Sequence, residues 1–144
     1  MKKIIYYLLA ISLIILTPII STEIYLKYIG LGDPIRYDSN YAYGYSPKIN
    51  QFKKRFKGSK ITINEVGLRS TEQWEQNKNK ILFIGDSITY GGSYIDDKEL
   101  FSHLVCTEIK DYICGNAGVN AYSVANMVYR SKYDLRINDA NVII

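Results

Sequence analysis

Ile81-Leu82-Phe83-Ile84-Gly85-Asp86-Ser87-Ile88-Thr89-Tyr90-Gly91 is the stretch that decides the fold. Four consecutive apolar residues between Lys80 and Gly85 suit a strand covered on both faces, because a half-exposed strand would alternate apolar and polar positions. Strands of that kind belong to parallel sheets. Beyond the turn, Asp97, Lys98, Glu99, Leu100, Phe101, Leu104, Val105 and Ile109 set apolar residues at helical spacing. Their acids gather at the start, where the helix dipole favours negative charge. The spacing therefore predicts one β-turn-α unit with Ser87 at its hinge. Gly85 and the pair Gly91-Gly92 permit a tight turn there.

A second unit follows. Tyr112, Ile113 and Cys114 read as a short strand ending in the loop Gly115-Asn116-Ala117-Gly118-Val119-Asn120-Ala121. Val124, Met127 and Val128, joined by Tyr129, then recur on one helical face. Asn141-Val142-Ile143-Ile144 begins a third strand. A β-α-β-α-β order with short connections implies right-handed crossovers and a parallel, doubly wound sheet. Ser87 and the loop from Asn116 to Ala121 would then share one sheet edge, where open α/β sheets bind ligands and where hydrolytic enzymes place a nucleophilic serine.

Gly85-Asp86-Ser87 with Thr89 and Gly91, and then Asn116-Ala117-Gly118-Val119-Asn120-Ala121-Tyr122-Ser123, resemble the first two sequence blocks of the SGNH (GDSL-type) hydrolases. The resemblance covers Lys80 to Ile144, less than half the chain. It implies part of a three-layer α/β/α doubly wound parallel sheet of the flavodoxin-like kind. It also implies that Ser87 attacks an ester carbonyl and that its backbone N–H donates to the oxyanion. Alignment on Asn116 makes Ala121, not Gly118, the second oxyanion donor; an alanine keeps that N–H. Asp86, Gly118 and Asn120 would complete the binding site, Asp86 by fixing the turn. The family's later Gly-X-Asn-Asp and Asp-X-X-His blocks do not occur, and a serine hydroxyl without a base is a poor nucleophile. His103, the only histidine, falls inside the first helix, and Asn138-Asp139 precedes the third strand at the wrong edge. The hydrolase-like part has 65 residues, whereas such a domain commonly needs more than roughly one hundred. The chain thus reads as a truncated piece of a longer enzyme, its third strand taken as central.

At the N-terminus, Lys2-Lys3 precedes an uncharged run from Ile4 to Thr22 that contains Pro18. Nineteen helical residues rise about 28 Å, close to the roughly 30 Å hydrocarbon core of a bilayer. The two lysines favour a cytoplasmic N-terminus, which places the rest outside the cytoplasm in a single-pass arrangement. A cleavable signal peptide is the rival, although Ile19-Ile20-Ser21 puts isoleucine where a cleavage site wants a small side chain. Outside the cytoplasm Cys106 and Cys114 either bridge or remain two buried thiols. No Cys or His cluster has metal-ligand spacing, and no cofactor is expected.

The chain divides into an anchor (1–25), a lead-in segment (26–79) and the hydrolase-like part (80–144). In the lead-in, Tyr37, Tyr41, Tyr43 and Tyr45 around Gly44 and Pro47 suggest extended or hairpin structure, and Ile61-Thr62-Ile63 reads as a strand. Asn64-Glu65-Val66-Gly67-Leu68-Arg69 resembles the lead-in of membrane-anchored bacterial members of the same family. It predicts a small β-rich element docked on the α/β part. Residues 1–60 carry a net charge of +7 and residues 61–144 a net charge of −3. The excess in Lys48, Lys53, Lys54, Arg55, Lys57 and Lys60 is either a solvated surface or a contact for anionic lipid heads or an acidic polysaccharide. Nucleic acid is not expected. Two functions follow. One is an SGNH-type serine esterase or O-acyltransferase acting on an extracytoplasmic acylated glycan or lipid, inactive in this chain. The other is a non-catalytic membrane-anchored remnant or carbohydrate-binding module.

Overall fold

The strand from Ile81 to Ile84 is the centre of a three-stranded parallel sheet. A computed structural model describes residues 2–144. In chain order it has helix α1 (Lys2–Tyr28), the strand pair β1 (Tyr37–Asn40) and β2 (Gly44–Pro47), and the pair β3 (Gln51–Lys54) and β4 (Lys60–Ile63). Then come β5 (Asn79–Gly85), α2 (Ser87–Tyr90), α3 (Phe101–Glu108), β6 (Tyr112–Gly118), α4 (Val124–Tyr133) and β7 (Val142–Ile143). The sheet order is β6-β5-β7, with both neighbours parallel to β5. The third strand, β7, lies beside β5 on the side opposite β6.

β5 is buried on both faces, as its composition demanded. Leu82 packs with Leu68, Trp74, Ile113, Ala117 and Ile137, while Ile81 and Phe83 pack with Cys114 on the other face. Phe101 of α3 meets Phe83 edge-on at 5.4 Å between ring centroids. Each such buried side chain stabilises the fold by about 1.5–3 kcal/mol. α3 thus covers one face, and the segment after α4 covers the other. The helical stripes themselves are less covered than their spacing suggests, since Leu104 and Val124 stay 53% and 73% exposed. The described residues give mixed α/β architecture in small sheets.

β6 continues through Gly115-Asn116-Ala117-Gly118, which the sequence had read as loop. Packing explains these glycines. A Cβ on Gly115 would lie 2.3 Å from Leu68 Cδ1. The predicted first helix is also split: Asp97–Glu99 form a 3-10 turn capped reciprocally by Asp96 and Glu99, and extended Leu100 separates it from α3. Cys106 and Cys114 form a disulfide from α3 to β6, with Cα atoms 5.8 Å apart. Between the two open readings, the bridge is the one found.

The lead-in is docked, as expected. Arg69 bridges antiparallel to Ile63 of β4 and to Asn116 of β6, so the β3–β4 pair extends the edge of the parallel sheet. The β1–β2 pair lies against the loop after β6, where the Tyr45 hydroxyl donates to Asn120 O at 2.6 Å. α1 stands apart, and the most apolar 18-residue window of the span Lys3–Tyr28 has a mean hydropathy of 2.3 and is not buried. It is long and apolar enough to cross a membrane.

Candidate active site at the end of the central strand

The turn after β5 is built by missing Cβ atoms. A Cβ on Gly85 would sit 2.0 Å from Thr89 Oγ1, and one on Gly118 would sit 2.2 Å from Tyr90 N. Only two glycines allow α2 to lie back on the ends of β5 and β6, which are register partners at Gly85 and Gly118. Asp86 caps this one-turn helix by accepting a hydrogen bond from Ile88 N at 2.9 Å, and Gly91 closes it in the left-handed region at φ 84°. Ser87 is left exposed at its first position, and its hydroxyl takes no partner among the described residues. Asp86 thus fixes the turn, as the sequence suggested.

The second loop is tied to the first. Val119 N donates to Gly85 O at 3.1 Å. Buried Asn116 donates through Nδ2 to Thr89 O at 2.6 Å and to Ser102 Oγ at 3.1 Å, and it accepts from Gly118 N at 2.9 Å. The Gly118 N–H is therefore occupied by Asn116, and this glycine seats α2. Asn120 is exposed, with its carbonyl held by Tyr45. Ala121 is exposed at φ 62°, a left-handed conformation that costs an alanine roughly 1–2 kcal/mol. Beneath it, the Tyr122 hydroxyl donates to Tyr45 O, and burial pushes its phenol pKa up to about 12. Ser87, Asn120 and Ala121 are thus brought to one sheet edge. It is the edge beside the switch point created when β6 and β7 flank β5 on opposite sides.

Two buried arginines that sequence reading missed hold this edge in place. Arg69 donates to Asp97 Oδ1 at 2.9 Å, to Tyr90 O and Gly92 O at 2.7 Å each, and to Ile95 O at 2.6 Å. Those carbonyls end α2 and the following loop. Burial pushes the Asp97 carboxyl up, although Arg69 and Thr62 pull the other way. Arg130 donates to Ala117 O at 3.0 Å and Gly67 O at 3.1 Å, joining α4, β6 and the lead-in. Neither arginine has a local sequence signal, because each is satisfied by carbonyls distant in the chain.

His103 lines a different recess, with Arg69, Ser70, Asp97 and Cys114, in which Ser87 takes no part. Asp139 pairs with Lys80 at the start of β5, the edge opposite Ser87, and accepts from the Trp74 indole at 2.8 Å. No group of three or more His, Cys, Asp or Glu among the described residues is placed to hold a metal ion. The site offers an exposed hydroxyl and free N–H groups, and no described side chain takes its proton. No protein-family model matches the chain, and no curated protein matches it.

Proposed function

We propose that Ser87 is the nucleophile of an SGNH-type serine ester hydrolase or O-acyltransferase held outside the cytoplasm by α1, with an O-acylated glycan or lipid as substrate. What carries this is the exposed, unpartnered Ser87 hydroxyl on a one-turn helix at the switch point, in a turn that admits no Cβ at Gly85 or Gly118. In the reaction Ser87 Oγ adds to the ester carbonyl and the electron pair moves to the carbonyl oxygen, which accepts from the N–H groups of Ser87 and Ala121. Collapse expels the sugar or glycerol alkoxide, which takes the proton removed from Ser87. Water or a second hydroxyl then receives the acyl group. Lys2-Lys3 before the apolar run favours a cytoplasmic N-terminus, and the Cys106–Cys114 disulfide suits an oxidising compartment.

Proton removal needs a base that these residues do not place at Ser87, so the 144-residue chain should not turn over alone. That gap favours a second reading for this chain, a membrane-held binding protein without catalysis. Supplying imidazole in solution separates the two. Hydrolysis of p-nitrophenyl acetate should show an increment over the rate of imidazole alone that disappears in Ser87→Ala. Identical rates for the two proteins at every imidazole concentration sink the catalytic reading.

A further inference from the structure

Ala121 is a residue of the site in an unfavourable backbone conformation, and the peptide group before it is where the lead-in meets the loop after β6. Asn120 C=O and Ala121 N–H belong to one trans peptide plane, so they point in opposite directions. The carbonyl accepts from the Tyr45 hydroxyl at 2.6 Å, while the Ala121 N–H takes no partner among the described residues. One hydrogen bond to the carbonyl therefore fixes the direction of the N–H on the other side of the plane. Turning the plane over would give Ala121 a negative φ, which an alanine prefers, and would bring the carbonyl to where the N–H now points. An acceptor in that place repels an oxyanion. The strain at φ 62° and a single hydrogen bond are of the same order, so the bond decides between the two orientations.

Tyr45 is itself held in place. Its ring meets Tyr37 and Tyr122 edge-on, with centroids 5.7 and 5.4 Å away, and its backbone carbonyl accepts from the Tyr122 hydroxyl. Asn126, in the first turn of α4, donates through Nδ2 to Tyr43 O at 3.1 Å, which ties the β1–β2 hairpin to the far side of the same loop. The hydroxyl that reaches Asn120 thus comes from a clamped hairpin, 75 residues away in the chain. The lead-in does more than cover the sheet edge: it sets the orientation of a peptide group in the site.

We propose that Tyr45 is a positioning residue of the Ser87 site: its hydroxyl locks the Asn120–Ala121 peptide with the N–H turned toward the oxyanion. The proposal rests on the reading of Ser87 as nucleophile, but the orientation of the peptide is measurable without turnover. In the full chain in non-ionic micelles, Ala121 of the parent should show the strong intraresidue HN–Hα nuclear Overhauser effect of a left-handed residue. Tyr45→Phe should weaken it as the plane turns over. The Ser87-dependent increment in imidazole-assisted p-nitrophenyl acetate hydrolysis should fall about fivefold or more in Tyr45→Phe, up to the roughly 10²-fold that a lost oxyanion donor costs, with KM within about twofold. Adding Ala121→Gly to Tyr45→Phe should recover most of that loss, because a glycine takes φ 62° without strain and keeps the N–H. A weak Overhauser effect in the parent, or an unchanged one in Tyr45→Phe, overturns the lock. So does an unchanged increment, or a reduced one that Ala121→Gly fails to restore, which would make Tyr45 a packing residue only. A parent chain without any Ser87-dependent increment refutes the nucleophile and, with it, the role of the lock in catalysis; the Overhauser comparison then decides the lock by itself.

Discussion

Replacing Gly118 with alanine should push α2 off the sheet and carry Ser87 with it. The new Cβ would meet Tyr90 N at 2.2 Å, Thr89 C at 2.7 Å and Tyr90 Cα at 2.8 Å. All three are backbone atoms, so no rotamer change relieves the clash, and α2 must retreat by roughly 1 Å to reach ordinary contact. That movement strains the bonds from Asn116 Nδ2 to Thr89 O at 2.6 Å and from Arg69 Nη1 to Tyr90 O at 2.7 Å. Overpacking costs about 1–3 kcal/mol, and a weakened buried hydrogen bond a further 1–3 kcal/mol. The expected loss is about 3–5 kcal/mol, a large share of the roughly 5–15 kcal/mol that stabilises a typical domain. Urea unfolding followed by Trp74 reads it directly, because this single tryptophan is 7% exposed and packs in the core beside Leu82. Gly58→Ala is the control. Its Cβ would meet nothing nearer than Lys54 Cε at 3.8 Å, so only the positive φ of 81° counts against it, about 1 kcal/mol. If Gly118→Ala lies within about 1 kcal/mol of this control, the packing account of the turn is wrong.

Three further perturbations probe the same frame. Ala121→Gly should stabilise the fold by about 0.5–1 kcal/mol, since relief at φ 62° exceeds the added freedom of the unfolded chain; a loss in the urea midpoint would refute the strained conformation. Replacing Cys106 and Cys114 by serine should cost about 2–3 kcal/mol, the loop entropy of a bridge with a sequence separation of 8, and an unchanged midpoint would argue against the bridge. For Asp134, burial pushes the carboxyl up, but hydrogen bonds from Arg136 and the charge of Arg130 outweigh it and leave the pKa lowered. A depressed carboxyl stabilises the fold above its unfolded pKa near 4 and loses that contribution as pH falls through the folded value. Tm should therefore fall more steeply below about pH 4 in the parent than in Asp134→Asn, and parallel profiles would refute the assignment. Asp97, raised by burial, acts in the opposite sense: its contribution is full below the unfolded value near 4 and is lost above it, as pH rises through the raised folded value.

What could be read in advance follows the range of the forces involved. β5 was legible because burial on both faces leaves a run of apolar residues, and the hairpin strands were legible from Ile61-Thr62-Ile63 and the tyrosines around Gly44. The end of β6 was not, because Gly115 and Gly118 look like turn residues in sequence. Their purpose is to leave room for Leu68 and for the α2 backbone, neither of which is local. The same holds for Arg69 and Arg130, whose burial depends on partners far along the chain. Ser87 was visible as a residue type at a strand end, whereas its freedom from any partner required coordinates.

That freedom gives the site its particular character. The groups that tie the turn down are satisfied: Asp86 by Ile88, Asn116 by Thr89, Ser102 and Gly118, and Arg69 by three carbonyls and Asp97. A turn kept for structure alone would gain from hydrogen-bonding its exposed serine to the cap or replacing it with a better helix former. Here the exposed Ser87 hydroxyl is left without a partner among the described residues.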